Sequence, residues 1–347
     1  MAVAPSRQLS PLSISIAMCT YNGAQYLREQ LESISAQGRL PDDMVICDDR
    51  SDDGTTHIIE KFAAAAPFPV RVFHNDGRLG STKNFERAIS LCTADIIALC
   101  DQDDVWRPDK LAQMEAAFRA EPRTGLVFSD AEVVDEQLHP LGYRLWERSK
   151  LDATKQRLLR EGQAFELLLE SNFVTGATMA FRSTFKELVL PIPRLPVAPQ
   201  IPVLIHDGWI ALLIAAVARF CPLADPLVKY RQHPKQQVGF RPAADLIDPA
   251  APAEDAQWRS TMQRTSIDLR RLRQLLVLRE RLSAMSTRFH YTEPVARFME
   301  KAAHWHVRAS IPERRLYRVP SVLKELLSYR YHRYSNGLRS AAKDLLF

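Results

Sequence analysis

Between residues 12 and 130, short and almost unbroken apolar runs alternate with stretches of helical spacing, and no other feature constrains the fold of this chain as tightly. The runs "LSISIAMC" (12–19), "MVICD" (44–48), "VRVFH" (70–74), "DIIALC" (95–100) and "GLVFSD" (125–130) read as strands. Between them, Leu27, Leu31 and Ile34 form a helical stripe, and helices are predicted over 55–66, 82–92 and Pro108 to Ala120. Strands that are apolar throughout, each followed by a helix, predict a parallel sheet covered on both faces. Right-handed crossovers then gather the strand C-terminal ends along one edge, where ligands of open α/β sheets bind.

Polar loops stand at those ends: "TYNG" (20–23), "DDRSDDG" (48–54), "NDG" (75–77) and "DQDD" (101–104). In the last, Asp101, Asp103 and Asp104 follow directly on a buried-type run. Like charges this close raise one another's cost of ionisation, so a cation is expected among them. Hard oxygen ligands suit Mg²⁺ or Mn²⁺, which take one or two protein carboxylates and complete their shell with phosphate oxygens. "DDRSDDGTTHIIE" nearly spells a calcium-binding EF-hand loop from Asp49 to Glu60. The strand-like "MVIC" before it, where an entering helix is required, argues instead for a strand-end turn. In that turn Asp52 or Asp53 lies near the next helix start, and Asp48 and Asp49 face the pocket.

Beyond residue 130 the pattern loosens. Helices are predicted at 164–171 and 207–220, strands at 177–181 and 226–233, and a Pro/Ala/Asp-rich linker at 241–257. Leu269, Leu272, Leu276 and Leu282 then give helical spacing among many arginines. Residues 258–347 hold 19 Lys and Arg against 7 Asp and Glu, a balance of +12, so the first 257 carry −7 of the chain's +5. The expected organisation is an acidic α/β domain (1–240), a linker (241–257) and a basic helical region (258–347). Five cysteines without paired spacing read as reduced thiols of a cytoplasmic protein, and no leader is expected in "MAVAPSRQLSPLS". The longest apolar run, "WIALLIAAVARF" (209–220), is too short to span a bilayer. No GxxxxGKS phosphate loop occurs and no nucleic-acid reading motif accompanies the arginines, so nucleic acid is not an expected partner.

The series "SIAMCTYNGAQYLREQLESI", "DDRSDDGT", "NDGRLGSTKNFERAI" and "LCDQDDVWRPDKL" resembles the N-terminal half of family 2 glycosyltransferases. These have the GT-A fold, an α/β architecture with a mostly parallel central sheet and flanking helices. The resemblance spans residues 12–240, with the helical basic extension beyond it. "CDQDDVW", "YRQH" and the ending "RYHRYSNGLRSAAKDLL" are most similar to bacterial rhamnosyltransferase-type members that build surface polysaccharides. The resemblance implies a divalent-metal-dependent, inverting transfer of a sugar, L-rhamnose first, from a nucleoside diphosphate such as dTDP. The acceptor would be a saccharide or lipid-linked glycan.

By matched position, Thr20, Tyr21 and Asn22 would line the nucleotide base and ribose, and Asp49 would hydrogen-bond the base. Gly80 and Lys83 would approach the nucleotide, and Asp101 the ribose and diphosphate. Asp103 would hold the metal, with His233 as a further ligand. Asp207, opening an apolar helix after His206, would be the catalytic base rather than a plain helix cap. Asp104, Thr175, Gly176, His206 and Trp209 would meet the acceptor, Trp209 by stacking on a sugar face. The glycine-rich, arginine-containing first loop of sugar-1-phosphate nucleotidylyltransferases is absent. The reading from a different class is a non-catalytic protein that binds a nucleotide or a membrane. Basic side chains with interleaved aromatics in the tail suit a peripheral station on an anionic cytoplasmic leaflet, or else pack on the acidic body.

Overall fold

The computed structural model describes residues 11–195, 205–234, 236, 269–312 and 317–346. It divides into two compact units: Met1–Ile192 with Ile205–Phe240, and Pro193–Leu204 with Arg241–Phe347. The predicted linker at 241–257 lies outside the described residues, as do 258–268.

The first unit is built on a nine-stranded mixed sheet. Its strands are β1 (Ile14–Thr20), β2 (Asp43–Asp48), β3 (Val70–His74), β4 (Ile96–Cys100), β5 (Val105–Trp106), β6 (Thr124–Val134), β7 (Pro140–Arg144), β8 (Met179–Arg182) and β9 (Arg219–Arg231). The order is β3-β2-β1-β4-β8-β6-β9-β5, with β7 paired to β6. The first four strands are parallel as predicted, with Ile16 opposite Met44 and Ala98. β1 and β4 are buried along their whole length, which is why they read as unbroken apolar runs. The helices Leu27–Ser35, Thr55–Ala65, Ser81–Leu91 and Lys110–Ala120 follow β1, β2, β3 and β5.

The fifth apolar run, β6, keeps the common direction but is separated from β4 by β8, which inserts antiparallel to both. Two predicted boundaries are corrected. The last strand is not 226–233 but the longer β9, parallel to β6 through several register shifts at Ser129–Ala131. The helix before it, His206–Ala215, is correspondingly shorter than 207–220. Six of the nine strands still share one direction. An antiparallel strand starts where its parallel neighbours end. The segment leading into β8, Thr175–Thr178, therefore arrives beside the end of β4 and its acidic loop. The pairing of β5 with β9, Val105 opposite Lys229, brings the same loop to the end of β9.

The helix His206–Ala215 is buried on nearly every side, so no polar stripe marks it. Trp209, expected to stack on a sugar, has no exposed surface, and its Nε1–H donates to the Val189 carbonyl at 2.9 Å. It is a core residue. Trp209→Ala is expected to cost about 3–5 kcal/mol in a urea titration, from lost burial and the cavity left behind. Unchanged stability with a weakened acceptor KM would restore the stacking role.

The second unit contains the helices Leu269–Ala284, Glu293–Ala309, Val319–Leu327, Arg330–Tyr334 and Leu338–Leu346. Its small core of Ile311, Val322, Tyr331 and Ala341 surrounds a buried polar network. Arg308 forks onto Asp344 at 2.6 and 3.1 Å, and His304 bridges Glu325 (2.7 Å) and Ser335 (2.9 Å). Arg330 pairs with Glu325 at 3.1 Å and Arg333 with Glu300 at 3.7 Å. Three of this unit's arginines are thus ion-paired within it. Among the described residues no helix is long and apolar enough to cross a membrane.

Candidate active site

The four strand-end loops of the first unit are tied together by side chains. Gln102, inside "DQDD", accepts from the Tyr21 N–H at 2.8 Å and donates to the Tyr21 carbonyl at 2.9 Å. A Cβ at position 23 would fall 2.2 Å from Gln102 Oε1, so the glycine of "TYNG" makes room for this pair of hydrogen bonds. Asn22, at φ 47°, donates its N–H to Ser51 Oγ (2.9 Å) and accepts from the Asp52 N–H (3.0 Å). The Arg78 guanidinium lies 3.9 Å from the centroid of the Tyr21 ring. This exposed cation in the third loop escaped the sequence reading, although "NDGRLG" displays it.

Several nucleotide candidates do structural work instead. Asp48 is buried, accepting from Thr20 Oγ1 at 2.7 Å and from Ser51 N–H and Oγ at 2.9 and 2.6 Å. Thr20 is buried with it, so its hydroxyl is not offered to a ribose. Asp49 is also buried, and its oxygens accept from Asn75 Nδ2 (2.7 Å), Leu79 N–H (2.7 Å) and Gly80 N–H (2.8 Å). The expected outward-facing Asp48/Asp49 pair is therefore a buried brace that holds the first and third loops. Lys83 pairs with Glu86 at 2.7 Å, and Gly80 begins its helix. The EF-hand alternative fails, since β2 precedes the loop and Asp53 accepts from Thr55 N–H and Oγ1 at the helix start.

The acidic loop is shaped by β9. Arg231 is buried, donates Nε–H to the Asp103 carbonyl at 2.7 Å, and lies over the Tyr26 ring at 4.7 Å. The Arg231 N–H donates to Asp104 Oδ1 at 3.0 Å. Asp104 is sealed there, so it neither starts the helix nor reaches an acceptor, and burial raises its pKa. Asp103 stays partly accessible, its Oδ2 2.8 Å from His233 Nε2. Asp101 is pushed up to about 7 by burial first, then by the charges of Asp103 and Asp207. Beneath them Lys110 is fully buried, donating to the Ala177 carbonyl at 2.7 Å with its Nζ 3.5 Å from the Trp106 ring centroid. Burial brings its ammonium down to about 7. Sequence spacing marks Lys110 only as a helix-start residue, so this link between acidic loop and acceptor segment was not foreseen.

Asp207 opens its helix with Oδ1 accepting from the Gly208 N–H at 2.6 Å and Oδ2 from the Gly176 N–H at 3.3 Å. Gly176 can come this close because a Cβ there would stand 3.0 Å from His206 Nε2. Burial raises the Asp207 carboxyl to about 6, close to the range a general base needs. His206 is buried, stacked on Phe85 at 4.1 Å, and held neutral by burial that lowers its pKa to about 3. It is a wall rather than an acceptor ligand. The Thr175 carbonyl accepts from Thr178 N–H and Oγ1 at 3.0 and 2.9 Å, fixing the turn that presents Gly176.

The structure thus brings Asp101, Asp103, Asp207, Gly176 and His233 to one sheet edge, with Tyr21 and Asn22 on the neighbouring loop. The profile of the family described as Glycosyl transferase family 2 matches residues 15–188, half of the chain. The chain belongs to that family.

This family 2 glycosyltransferase is 26% identical over 228 residues to an uncharacterized protein of Mycobacterium tuberculosis, covering 63% of this chain and 59% of the relative's length. It is 38% identical over 98 residues to the dTDP-rhamnosyl transferase RfbG of Shigella flexneri, covering 27% and 34%. The chain spans less than two thirds of the length of these relatives. Among solved structures, S. aureus TarS 1–349 in complex with UDP-GlcNAc aligns at 19% identity over 96% of this chain and 88% of that one, with a TM-score of 0.49. Asp207 and His233 lie outside the span that the family profile matches.

A divalent ion held together with a diphosphate would fit the acidic loop. Asp103 and His233 would then supply one hard oxygen and one imidazole nitrogen, which stand 2.8 Å apart. Among the described residues no three Asp, Glu, His or Cys side chains form a ready-made ligand cluster, so phosphate oxygens would have to complete the shell.

Proposed function

We propose that this glycosyltransferase is an inverting, divalent-metal-dependent enzyme that moves L-rhamnose from a dTDP-linked donor. The acceptor is a saccharide or lipid-linked glycan of a cell-surface polysaccharide. The observation that carries the reaction is the meeting of Asp207, a half-buried carboxylate raised to about 6, with the equally half-buried Asp101 and Asp103. Asp207 takes the acceptor hydroxyl's proton as that oxygen attacks the anomeric carbon. The bond from anomeric carbon to diphosphate breaks, and its electron pair leaves with the nucleoside diphosphate. One displacement inverts the configuration. When bound, Mg²⁺ or Mn²⁺ neutralises charge developing on the leaving diphosphate. Asp103 and His233 would hold the ion, while Arg78, Tyr21 and Asn22 would approach the nucleotide. A lipid-linked acceptor places the enzyme at the cytoplasmic leaflet, reached peripherally through the basic C-terminal unit.

Support for the donor comes from the Shigella relative, which is named a dTDP-rhamnosyl transferase. The test is thermal stabilisation by a panel of nucleotide sugars with Mn²⁺ or Mg²⁺, followed by transfer assays. dTDP-L-rhamnose is expected to stabilise most, and only with the ion. Stronger stabilisation by a UDP- or GDP-sugar would overturn the donor, and equal stabilisation in chelator would overturn the metal.

A further inference from the structure

The second unit carries most of the exposed large hydrophobic side chains among the described residues. Among the described residues nine large hydrophobic side chains are exposed, and seven of these lie between 317 and 346, each 50–73% exposed. Their spacing is regular. In the helix Val319–Leu327, Val319, Leu323 and Leu327 repeat every fourth residue and share one stripe. The opposite flank buries Val322 and Glu325. The helix Leu338–Leu346 repeats the pattern, exposing Leu338, Ala342 and Leu346 while burying Ala341 and Asp344. Each helix thus has one face in the unit's core and a second apolar stripe that folding leaves uncovered. Tyr317 and Tyr329 are exposed just beyond the ends of the first of these helices.

Charge decides what covers such stripes. Lys324, Arg339 and Lys343 are exposed and have no ion pair among the described residues, unlike Arg308, Arg330 and Arg333. A second copy of the same face would oppose these cations with cations. The acidic first 257 residues of another copy offer charge, but their exposed large hydrophobics are only Leu40 and Leu141 among the described residues. An anionic bilayer surface supplies negative headgroups and hydrocarbon together. Neither helix is long enough to span it, at 9 residues each.

We propose that the Val319–Leu323–Leu327 and Leu338–Leu346 stripes, with Lys324, Arg339 and Lys343, dock on an anionic lipid bilayer. The apolar side chains enter the headgroup boundary while the longer cationic ones reach back to the phosphates. This rests on the peripheral membrane station named above and gives it a surface.

The experiment is flotation of the full chain with phosphatidylglycerol-containing vesicles and with pure phosphatidylcholine vesicles, at low and high salt. Wild type is expected to float on the anionic vesicles and to be released by salt. Lys324→Gln/Arg339→Gln/Lys343→Gln is expected to lower partitioning on the order of 100-fold, since each basic residue near the surface contributes about fivefold. Leu323→Asp/Leu327→Asp is expected to weaken it by tenfold or more, on the order of two lost apolar anchors. These positions are exposed, so circular dichroism and thermal midpoints should match wild type. Wild type that ignores anionic vesicles overturns the proposal, as does undiminished flotation of the leucine variant. A dimer that the leucine variant dissociates, without vesicle binding, assigns the face to a second copy and also overturns it. Donor stabilisation is measured on the same samples: lost flotation with normal donor binding defeats this proposal alone, and the converse defeats the catalytic reading alone.

Discussion

Asp207→Asn lowers turnover by about 10²–10⁴-fold, the span that a positioned general base contributes. The amide matches the carboxylate in size but cannot accept the acceptor's proton. The carboxylate accepts from the Gly208 N–H at 2.6 Å on one oxygen and from the Gly176 N–H at 3.3 Å on the other, so the amide oxygen can keep the shorter bond and gives up the longer, weaker one. Donor affinity and thermal midpoint should therefore change little, and the loss should appear in kcat. The pH profile gives a second readout. Asp207 works as a carboxylate, and burial raises its pKa to about 6. Wild-type kcat is accordingly expected to be full well above pH 6 and to fall as pH drops through it. In the Asn variant this acidic limb should vanish from the residual rate. Near-normal turnover would leave Asp207 as a helix-start residue that braces Gly176, with the base elsewhere.

Asp103→Ala is expected to abolish Mn²⁺-dependent stabilisation by a nucleoside diphosphate and to stop sugar transfer. Ligand at 100 times its Kd stabilises a protein by about 2.7 kcal/mol, and that increment is what the substitution should erase in a thermal or urea titration. The unliganded protein should hold its stability, because Asp103 is partly exposed and the loop is also anchored by Arg231 to the Asp103 carbonyl. The substitution removes the oxygen that sits 2.8 Å from His233 Nε2, leaving the imidazole as the single donor of the pair. Unchanged metal-dependent stabilisation in Asp103→Ala would move the ion away from this loop. Apo stability falling as much as liganded stability would make Asp103 a structural residue.

β1, β2 and β4 were legible because they are buried almost throughout, and continuous burial writes itself as continuous apolarity, while β3 at the sheet edge is only half-buried. The acidic loop was legible for the opposite reason: three carboxylates on the end of a buried run raise one another's cost of ionisation and stand out against the apolar residues before them. The asymmetry of charge between body and tail is additive along the chain, so counting found it. These properties belong to single residues or short windows, and sequence determines them alone.

Tertiary structure decided whatever depends on which segments meet. β8 is as apolar as its neighbours, and nothing in "MAFR" states that it separates β4 from β6 antiparallel to both. That insertion carries Gly176 to Asp207. Trp209 and Asp104 looked available because their polar atoms were visible and their partners were not; Val189 lies 20 residues from the first and Arg231 lies 127 from the second. Lys110 joins Ala177 across 67 residues. The stripes of the last two long helices were hidden for a related reason. A helix wheel shows that Leu323 and Val322 are both apolar, but only packing shows that Val322 is covered and Leu323 is not. Hydrophobicity is a property of a side chain, whereas burial is a property of its neighbours, and the neighbours are set by the fold.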